Sequence, residues 1–295
     1  MDRRTFLLGT LVLAGCAQAR PAGAAETTKP PASAPSAGAS TPMAARPVIG
    51  TDATTSGLML AALLSGARPA STLTLGTDWR ARVGDGTTSA APVYAGTAWA
   101  ELSQSDEPSD DVVGDLAGLV QPDVSIMAAG TLDGALVWMA PATSTLSSLD
   151  QAAKRLDGKP VAVPSLAVGR GDGLPGLSVI YRAKGAHVVE DDPIARAALV
   201  TSGKAAFGAF RRTEYLGTDQ LRELADPSGM VTPDPVVLAV NSAFADSDPT
   251  SVLALNAVLQ ALGDADLVDL QRQVAGGSAA ADVAHAWLVG KSLVK

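Results

Sequence analysis

Cys16 is the most informative reactive side chain in this chain of 295 residues, because it is the only cysteine. It follows an apolar run from Phe6 to Ala14, which itself follows the basic pair Arg3-Arg4. A basic start, an apolar stretch too short to span a bilayer and small residues before a cut site are typical of a secretory signal peptide. We therefore predict an export leader over residues 1–15. The alternative is a lone buried cysteine in an N-terminal helix.

The residues around this cysteine, Leu13-Ala14-Gly15-Cys16, resemble the lipobox of bacterial lipoproteins. The resemblance implies that Cys16 receives a diacylglyceryl thioether and becomes the first residue of the mature protein. The chain would then face the extracytoplasmic side of the cell membrane, held there by its lipid anchor alone. Arg3-Arg4-Thr5-Phe6-Leu7 also resembles a twin-arginine export signal. Twin-arginine export and the general secretory route both stay open.

The segment after the cysteine is predicted to be a disordered tether, residues 16–46. It consists almost entirely of Ala, Pro, Ser, Thr and Gly. Few of these side chains bury enough apolar area to offset the entropy lost when a chain is ordered. Proline favours extended backbone, and Gly and Ser allow bending.

The remaining chemistry-bearing residues argue against several classes of function. The net charge of −8, with scattered charges, disfavours nucleic acid as a partner. With Cys16 lipidated, no cysteine is left for a disulfide or a thiolate metal site, and His187 and His285 lie far apart. We expect no metal and no cofactor.

Catalysis is also disfavoured. A Gly-x-Ser-x-Gly nucleophile elbow is missing from the sequence, so a hydrolase is the less favoured alternative. Gly171 to Gly176 spells Gly-x-Gly-x-x-Gly, but Pro175 interrupts it, and we interpret it as a flexible loop. Arg170-Gly171-Asp172 is interpreted as a chance loop tripeptide.

The folded part spans about 250 residues and alternates strand and helix patterns, which predicts an α/β fold. The predicted strands are Pro47–Gly50, Ser71–Leu75, Gly134–Met139, Val161–Val163, Val188–Val189, Ala205–Phe210 and Pro235–Asn241. The last is a continuous apolar run, which indicates burial on both faces of a sheet. Three helices close the chain: Asp248-Pro249 is predicted to start the first, Asp264 or Asp266 to cap the second, and Ser278 to cap the third.

Four segments resemble the glycine betaine/choline/carnitine class of solute-binding proteins of ABC transporters. They are Val48-Ile49-Gly50-Thr51-Asp52 before a Leu-rich helix, Ala91-Pro92-Val93-Tyr94-Ala95-Gly96-Thr97-Ala98, Leu174-Pro175-Gly176-Leu177 followed by Tyr181, and Ala281-Asp282-Val283-Ala284 with Trp287-Leu288 and Ser292-Leu293. Together they cover nearly all of residues 47–295.

The resemblance implies a periplasmic-binding-protein type II fold, with two α/β lobes joined by two crossover strands and a ligand cleft between them. Lobe one would comprise residues 47–137 plus 239–295, and lobe two residues 138–238. The crossings would fall near Trp138–Pro141 and Val236–Val240. A solute that contacts both lobes would favour the closed state.

The resemblance also implies a set of ligand-binding residues around this cleft. The candidates are Thr51, Asp52, Tyr94, Thr97, Trp99, Ser165, Phe210, Arg211, Arg212, Thr213 and Glu214. Aromatic rings attract a quaternary ammonium, and an arginine fork can bind a carboxylate.

Several of these candidates have a structural alternative. Thr51 and Asp52 suit helix capping, Tyr94 suits a core position, and Trp99 can anchor a helix. Arg211 or Arg212 can form a surface salt bridge with Glu214.

Two arginines in a cleft with few aromatics favour an anionic or zwitterionic solute over a bare cation. We therefore expect a monomeric, non-enzymatic solute-binding lipoprotein that delivers a betaine-like osmoprotectant or other small zwitterion to ABC permease and ATPase subunits. The alternative is a cell-envelope scaffold with a degenerate binding fold.

Overall fold

The computed structural model describes residues 46–104, 109–156 and 158–295. The predicted leader, Cys16 and all of the predicted tether except Arg46 lie outside the described residues.

The described residues contain strands that match the predicted ones closely and add three that the apolar pattern did not indicate. They are β1 Val48–Thr51, β2 Ser71–Thr74, β3 Ala90–Tyr94, β4 Val124–Ile126, β5 Leu136–Pro141, β6 Val161–Val163, β7 His187–Val189, β8 Gly208–Arg211, β9 Leu221–Glu223 and β10 Val236–Asn241. The added strands are β3, β4 and β9.

The helices of the described part alternate with these strands and cluster at the C-terminus. They are α1 Thr55–Ala67, α2 Trp79–Gly84, α3 Ala95–Ser103, α4 Val112–Val120, α5 Leu149–Lys154, α6 Leu174–Val179, α7 Pro193–Thr201, α8 Ser242–Ser247, α9 Pro249–Ala261, α10 Asp264–Ala275 and α11 Ala280–Gly290. A single 3₁₀ turn, Ser165–Ala167, follows β6 within the described residues.

The helix starts show which predicted caps are correct. Asp248 caps α9, with its carboxylate accepting from the Ser251 N–H at 3.1 Å. The predicted cap at Ser278 is wrong, because α11 begins after Ala279 without a side-chain cap. Asp264 lies inside the first turn of α10, after Gly263. Its carboxylate accepts instead from the backbone N–H of Asp133 at 2.7 Å.

The described strands form two mixed sheets with the same pattern of directions. Sheet one has the order β2-β1-β3-β10-β4, and sheet two has the order β7-β6-β8-β5-β9. In sheet one β1 is parallel to β2 and β3, while β10 is antiparallel to both of its neighbours. In sheet two β6 is parallel to β7 and β8, while β5 is antiparallel to its neighbours. Each five-stranded sheet therefore has four strands that run in one direction and one, β10 or β5, that runs in the opposite direction.

Alternating side chains of β10 supply the cores on the two faces of sheet one. Val236, Leu238 and Val240 pack in the cluster with α1, α9, α10 and α11. Val237 and Ala239 pack in the cluster with α2, α3 and α4. Every residue of β10 is buried, as the continuous apolar run predicts for a strand covered by helices on both faces. Sheet two is likewise flanked by two apolar clusters.

The two segments that connect the sheets lie side by side and are hydrogen-bonded to each other. Asp133 and Pro235 form an antiparallel bridge, and the Gly134 N–H donates to the Asp234 carbonyl at 2.9 Å. Strand β5 lies wholly in sheet two and β10 wholly in sheet one. The lobe boundaries given above stay a prediction.

Across the described ranges, no single helix combines the length and apolarity needed to cross a bilayer; α9 and α10, bent by 93°, meet the test only as a pair, by length and composition.

Candidate functional site

A cleft of about 160 Å³ lies where β1, β2 and β3 end, at the carboxyl edge of sheet one. Ligands of open α/β sheets bind at this edge because the loops that follow parallel strands converge there. Seven of its lining residues carry functional groups or aromatic rings: Thr51, Asp52, Thr77, Trp79, Tyr94, Thr97 and Glu101. This volume is below the range typical of pockets for drug-sized ligands and suits a small solute.

Thr51 and Asp52, two of the predicted ligand-binding residues, line this cleft at the end of β1. Thr51 is buried, whereas Asp52 is exposed. The helix cap is Thr54, whose hydroxyl accepts from the Gly57 N–H at 3.0 Å. The carboxylate of Asp52 accepts from the Thr54 N–H at 3.0 Å and so holds that cap in place. Asp52 therefore supports the start of α1 and also faces the cleft.

Tyr94 stands at the end of β3 and connects the cleft to sheet two. The Arg211 guanidinium lies 3.9 Å from the centre of the Tyr94 ring, which is a cation–π contact. The Tyr94 hydroxyl lies 3.0 Å from the Thr213 hydroxyl. Burial raises the pKa of Tyr94 to about 12, against the opposing effect of the positive charge on Arg211.

A buried carboxylate, Asp234, joins α3 to sheet two. It accepts from the backbone N–H groups of Gly96 at 2.7 Å and Thr97 at 3.1 Å. It also accepts from the Thr97 hydroxyl at 2.6 Å and pairs with Arg211 at 2.8 Å. Burial alone would raise the pKa of Asp234, but Arg211, Arg170 and the Thr97 hydroxyl hold it below its ordinary value. Asp234 is therefore held ionised.

Arg170 and Asp172 complete this cluster. In the sequence analysis, Arg170-Gly171-Asp172 had been interpreted as a chance loop tripeptide. Arg170 makes two hydrogen bonds to the Asp172 carboxylate, both at 2.8 Å. It also contacts Asp234 at 3.2 Å and donates to the Thr97 hydroxyl. We name Thr97, Arg170, Asp172, Arg211 and Asp234 the Asp234 network.

The Asp234 network and its neighbours connect elements of both sheets directly. The Thr97 hydroxyl on α3 accepts from Arg211 of β8 at 2.8 Å. The carbonyl of Thr213 accepts from the hydroxyl of Ser56 on α1 at 2.9 Å and from the side chain of Gln271 on α10 at 2.7 Å. The groups between the sheets are therefore bonded to one another.

Three further predicted residues, in β8 or just after it, lie near this junction but have surroundings of their own. Arg212 pairs with Asp133 at 3.2 Å and with Glu223 at 2.9 Å. Glu214 pairs with Arg196 at 2.6 Å and accepts from the backbone N–H of Arg211 at 3.0 Å. Phe210 is fully buried in the core beside α7.

Trp99 and Ser165 are placed away from the cleft lining. Trp99 is partly buried against the apolar cluster of α2, α3 and α4, which fits the helix-anchoring alternative. Ser165 begins the 3₁₀ turn after β6, and its backbone N–H donates to Asp191 at 2.7 Å.

Sequence reasoning missed Asp234, Arg170, Asp172, Trp79 and Glu101. Asp234 sits in the stretch Thr232-Pro233-Asp234-Pro235, which has no periodicity that would mark a buried carboxylate. Glu101 belongs to none of the sequence motifs. Only its place on α3, one helical turn beyond Thr97, could have indicated it. Burial raises the pKa of Glu101, while Arg211 and Arg170 act in the opposite direction.

Among the described residues, His, Cys, Asp and Glu side chains form no group of three that could hold a metal ion.

Gly134 keeps the Tyr94 ring in place, and its substitution is a direct test of the geometry. A Cβ at position 134 would lie 2.1 Å from Cε1 of Tyr94 and 3.2 Å from Nη1 of Arg211. We expect Gly134→Ala to lower the free energy of unfolding by about 2 kcal/mol, because the added methyl displaces the ring. Urea unfolding measures this change.

The matched control is Gly118→Ala on α4, where an added Cβ meets no atom within 4 Å. It should raise the free energy of unfolding by about 0.5–1 kcal/mol, as alanine replaces glycine inside a helix. Equal effects of the two substitutions would contradict the tight contact at Gly134.

Solved structures share this fold. A structure titled glycine betaine/carnitine/choline ABC transporter aligns with a TM-score of 0.70 at 14% identity, over 84% of this chain and 99% of that one. Apo YehZ from Escherichia coli aligns with a TM-score of 0.66 at 16% identity, over 85% of this chain and 100% of that one. Lactococcal OpuAC, in a closed conformation complexed with glycine betaine, aligns with a TM-score of 0.64 at 13% identity, over 84% and 96%.

These likenesses confirm the predicted type II periplasmic-binding-protein fold. A comparison with curated protein sequences gives no match. A family described as the substrate binding domain of ABC-type glycine betaine transport systems matches residues 59–289, which is most of the chain. The protein therefore belongs to this family of ABC-transporter substrate-binding domains, as its four sequence motifs indicated.

Proposed function

We propose that the chain is a lipid-anchored, extracytoplasmic binding protein that captures a small quaternary ammonium solute of the betaine class. It would deliver this solute, as a monomer, to the permease and ATPase subunits of an ABC importer. The observation that carries the proposal is the cleft at the carboxyl edge of sheet one, where aromatic rings and carboxylates meet. Both groups attract a cation whose charge is spread over methyl groups.

The proposed site needs no catalytic group. His187 is exposed on the short strand β7, and His285 is exposed on α11. Neither lines the cleft.

A solute screen tests the proposal. Calorimetry and thermal shift with glycine betaine, proline betaine, choline, carnitine and proline should give heat and a raised Tm with at least one of them. Saturating ligand raises stability by mass action, about 2.7 kcal/mol at one hundred times the Kd. Sucrose serves as the uncharged control. The absence of heat and thermal shift with all five solutes would overturn the proposed function.

The proposed anchor is tested by Cys16→Ser. If the thiol carries the lipid, the wild-type chain expressed in a bacterium should partition into the membrane fraction. The Cys16→Ser chain should appear in the soluble or secreted fraction, because a chain without acyl groups has no comparable membrane affinity. Unchanged membrane partition of Cys16→Ser would contradict the anchor and leave the solute site to be judged by calorimetry.

One observation favours the second candidate, a scaffold with a degenerate binding fold. The groups between the two sheets, including Arg211 over the Tyr94 ring, are already bonded to each other. A scaffold would retain this arrangement with every solute in the screen, whereas a transporter component would respond to at least one.

A further inference from the structure

The loop that follows β8 inserts Thr213 into the other half of the folded chain. We call sheet one with α1–α4 and α8–α11 the sheet-one half, and sheet two with α5–α7 the sheet-two half. Thr213 belongs to the sheet-two half and is fully buried. Its carbonyl accepts from the Ser56 hydroxyl of α1 at 2.9 Å and from the Gln271 side chain of α10 at 2.7 Å. Its hydroxyl lies 3.0 Å from the Tyr94 hydroxyl of β3. One residue of the sheet-two half is thus held by three elements of the sheet-one half.

Gln271 is central to this contact, and its side chain is buried. The amide nitrogen donates to the Thr213 carbonyl, and the amide oxygen accepts from the Tyr215 N–H at 3.3 Å. Both ends of the amide therefore bond to the backbone of the sheet-two half. We name Ser56, Thr213, Tyr215 and Gln271 the Thr213 socket. Separation of the halves at this socket is unfavourable, because buried carbonyl and N–H groups lose their partners together.

A second contact between the halves is made on the opposite face of sheet one. Helices α1 and α10, which contribute to the Thr213 socket, cover one face of that sheet, and α3 covers the other. On α3 the Thr97 hydroxyl accepts from Arg211 at 2.8 Å and also from Arg170, both of the sheet-two half. A rotation of one half about the two connecting segments, in either direction, therefore breaks the Thr213 socket or the Thr97 contacts.

The cleft itself is built from the sheet-one half. All of its lining residues lie between Thr51 and Glu101, from the end of β1 to α3. A solute that occupies this cleft makes its contacts within one half. A ligand shifts a conformational equilibrium only through a difference in its affinity for the two conformations, and contacts within one half supply no such difference.

From these contacts we infer that the two halves keep one relative orientation, fixed by the Thr213 socket and the Thr97 contacts, and that solute binds without closure of one half on the other. Gln271 is the positioning residue of this arrangement, since it joins the halves and does not line the cleft. The inference departs from the solute-driven closure that the family resemblance implied. Its statement about solute rests on the proposed function, whereas the fixed orientation does not.

Distances between spin labels on the two halves test the fixed orientation. Leu253→Cys on α9 and Val179→Cys on α6 place the labels at exposed positions, one on each half, in a full chain whose native thiol is removed by Cys16→Ser. Pulsed electron paramagnetic resonance in buffer without added solute should give one narrow distance distribution. A broad distribution, or two resolved distances, would overturn the inference without bearing on the proposed function.

Variants of the two contacts show whether they set this orientation. Gln271→Leu removes the amide, and Thr97→Val removes the hydroxyl. Together they should broaden the distance distribution about twofold, because a rotation then breaks neither contact. Gln273→Leu is the matched control, since Gln273 lies on the same helix, is exposed and bonds to Asp269 of that helix.

Circular dichroism establishes whether the double variant is folded. If it is not, Ser56→Ala replaces Gln271→Leu, because it removes one donor from the Thr213 carbonyl and leaves the Gln271 amide in place. A folded double variant with the distance distribution of the wild type would overturn the roles assigned to the two contacts.

Addition of solute separates this inference from the proposed function. Each solute of the screen that gives heat in calorimetry should leave the distance distribution unchanged. A solute that binds and shifts the mean distance would overturn the inference while upholding the proposed function. A narrow distribution combined with binding of none of the solutes would overturn the proposed function and uphold the fixed orientation.

Discussion

Arg211→Met is expected to lower the free energy of unfolding by about 3 kcal/mol, because it removes one of the two arginines that neutralise a buried carboxylate. The side chain of Asp234 is fully buried, and that of Arg211 is 9% exposed. Removal of one member of a buried pair leaves an uncompensated charge, which costs about 3–5 kcal/mol. The lower end applies here since Arg170 still contacts Asp234, at 3.2 Å. Urea unfolding followed by tryptophan fluorescence measures the loss.

The neighbouring residue provides the matched control. Arg212 also makes two ion pairs, with Asp133 and Glu223, but its side chain is 37% exposed. Arg212→Met should therefore cost less than about 1 kcal/mol, since solvent screens exposed pairs. A loss at Arg212 as large as that at Arg211 would show that burial of Asp234 does not set the energy of this network.

A double substitution isolates the Arg211–Asp234 interaction. Arg211→Met combined with Asp234→Asn should cost less than the sum of the two single losses, because neither variant group is then left charged and unpaired. Strict additivity would mean that the two side chains act independently, in conflict with their 2.8 Å contact.

The strands were predictable where local composition alone determines them. The apolar run of β10 and the short run of β6 are buried along their whole length and were both identified. Strand β3 was not predicted, because its Ala-Ala-Pro-Val-Tyr sequence has neither a long apolar run nor a clear alternation. It is a strand because it pairs with β10 along five residues. That pairing is a tertiary effect outside the reach of a local pattern.

The residues of the candidate site also fall into a group that the sequence could predict and a group that it could not. Thr51 and Tyr94 end β1 and β3, and Asp52 and Thr97 come shortly after them. The carboxyl ends of these strands share one edge, so the fold class places the four residues together. Asp234 bonds to Gly96 across 138 positions of sequence, and Arg170 contacts Thr97 across 73. Contacts this distant leave no spacing to recognise. The sequence offers Arg211 either a solute carboxylate or Glu214 as its partner. Its actual partner, Asp234, becomes evident only once the passages between the sheets are in place.

The Tyr94 hydroxyl should give the protein a distinct loss of stability in alkali. The pKa of Tyr94 is raised from its ordinary value of 10.0 to about 12, first by burial. A group whose pKa is higher in the folded state stabilises the protein fully below its unfolded pKa, and that contribution is lost as the pH rises through the folded pKa. The free energy of unfolding should therefore fall between pH 10 and pH 12, by up to about 2.7 kcal/mol at 1.36 kcal/mol per unit.

Tyr94→Phe separates this effect from the titration of other groups, because phenylalanine keeps the ring under Arg211 and removes only the hydroxyl. At neutral pH it should lose about 1 kcal/mol, the net value of the hydrogen bond to Thr213. Between pH 10 and pH 12 its stability should decline less steeply than that of the wild type, so the two urea-unfolding curves converge and then cross. Parallel curves over this range would mean that the Tyr94 hydroxyl ionises as freely in the folded chain as in the unfolded one. The junction between the sheets would then be open to water at Tyr94.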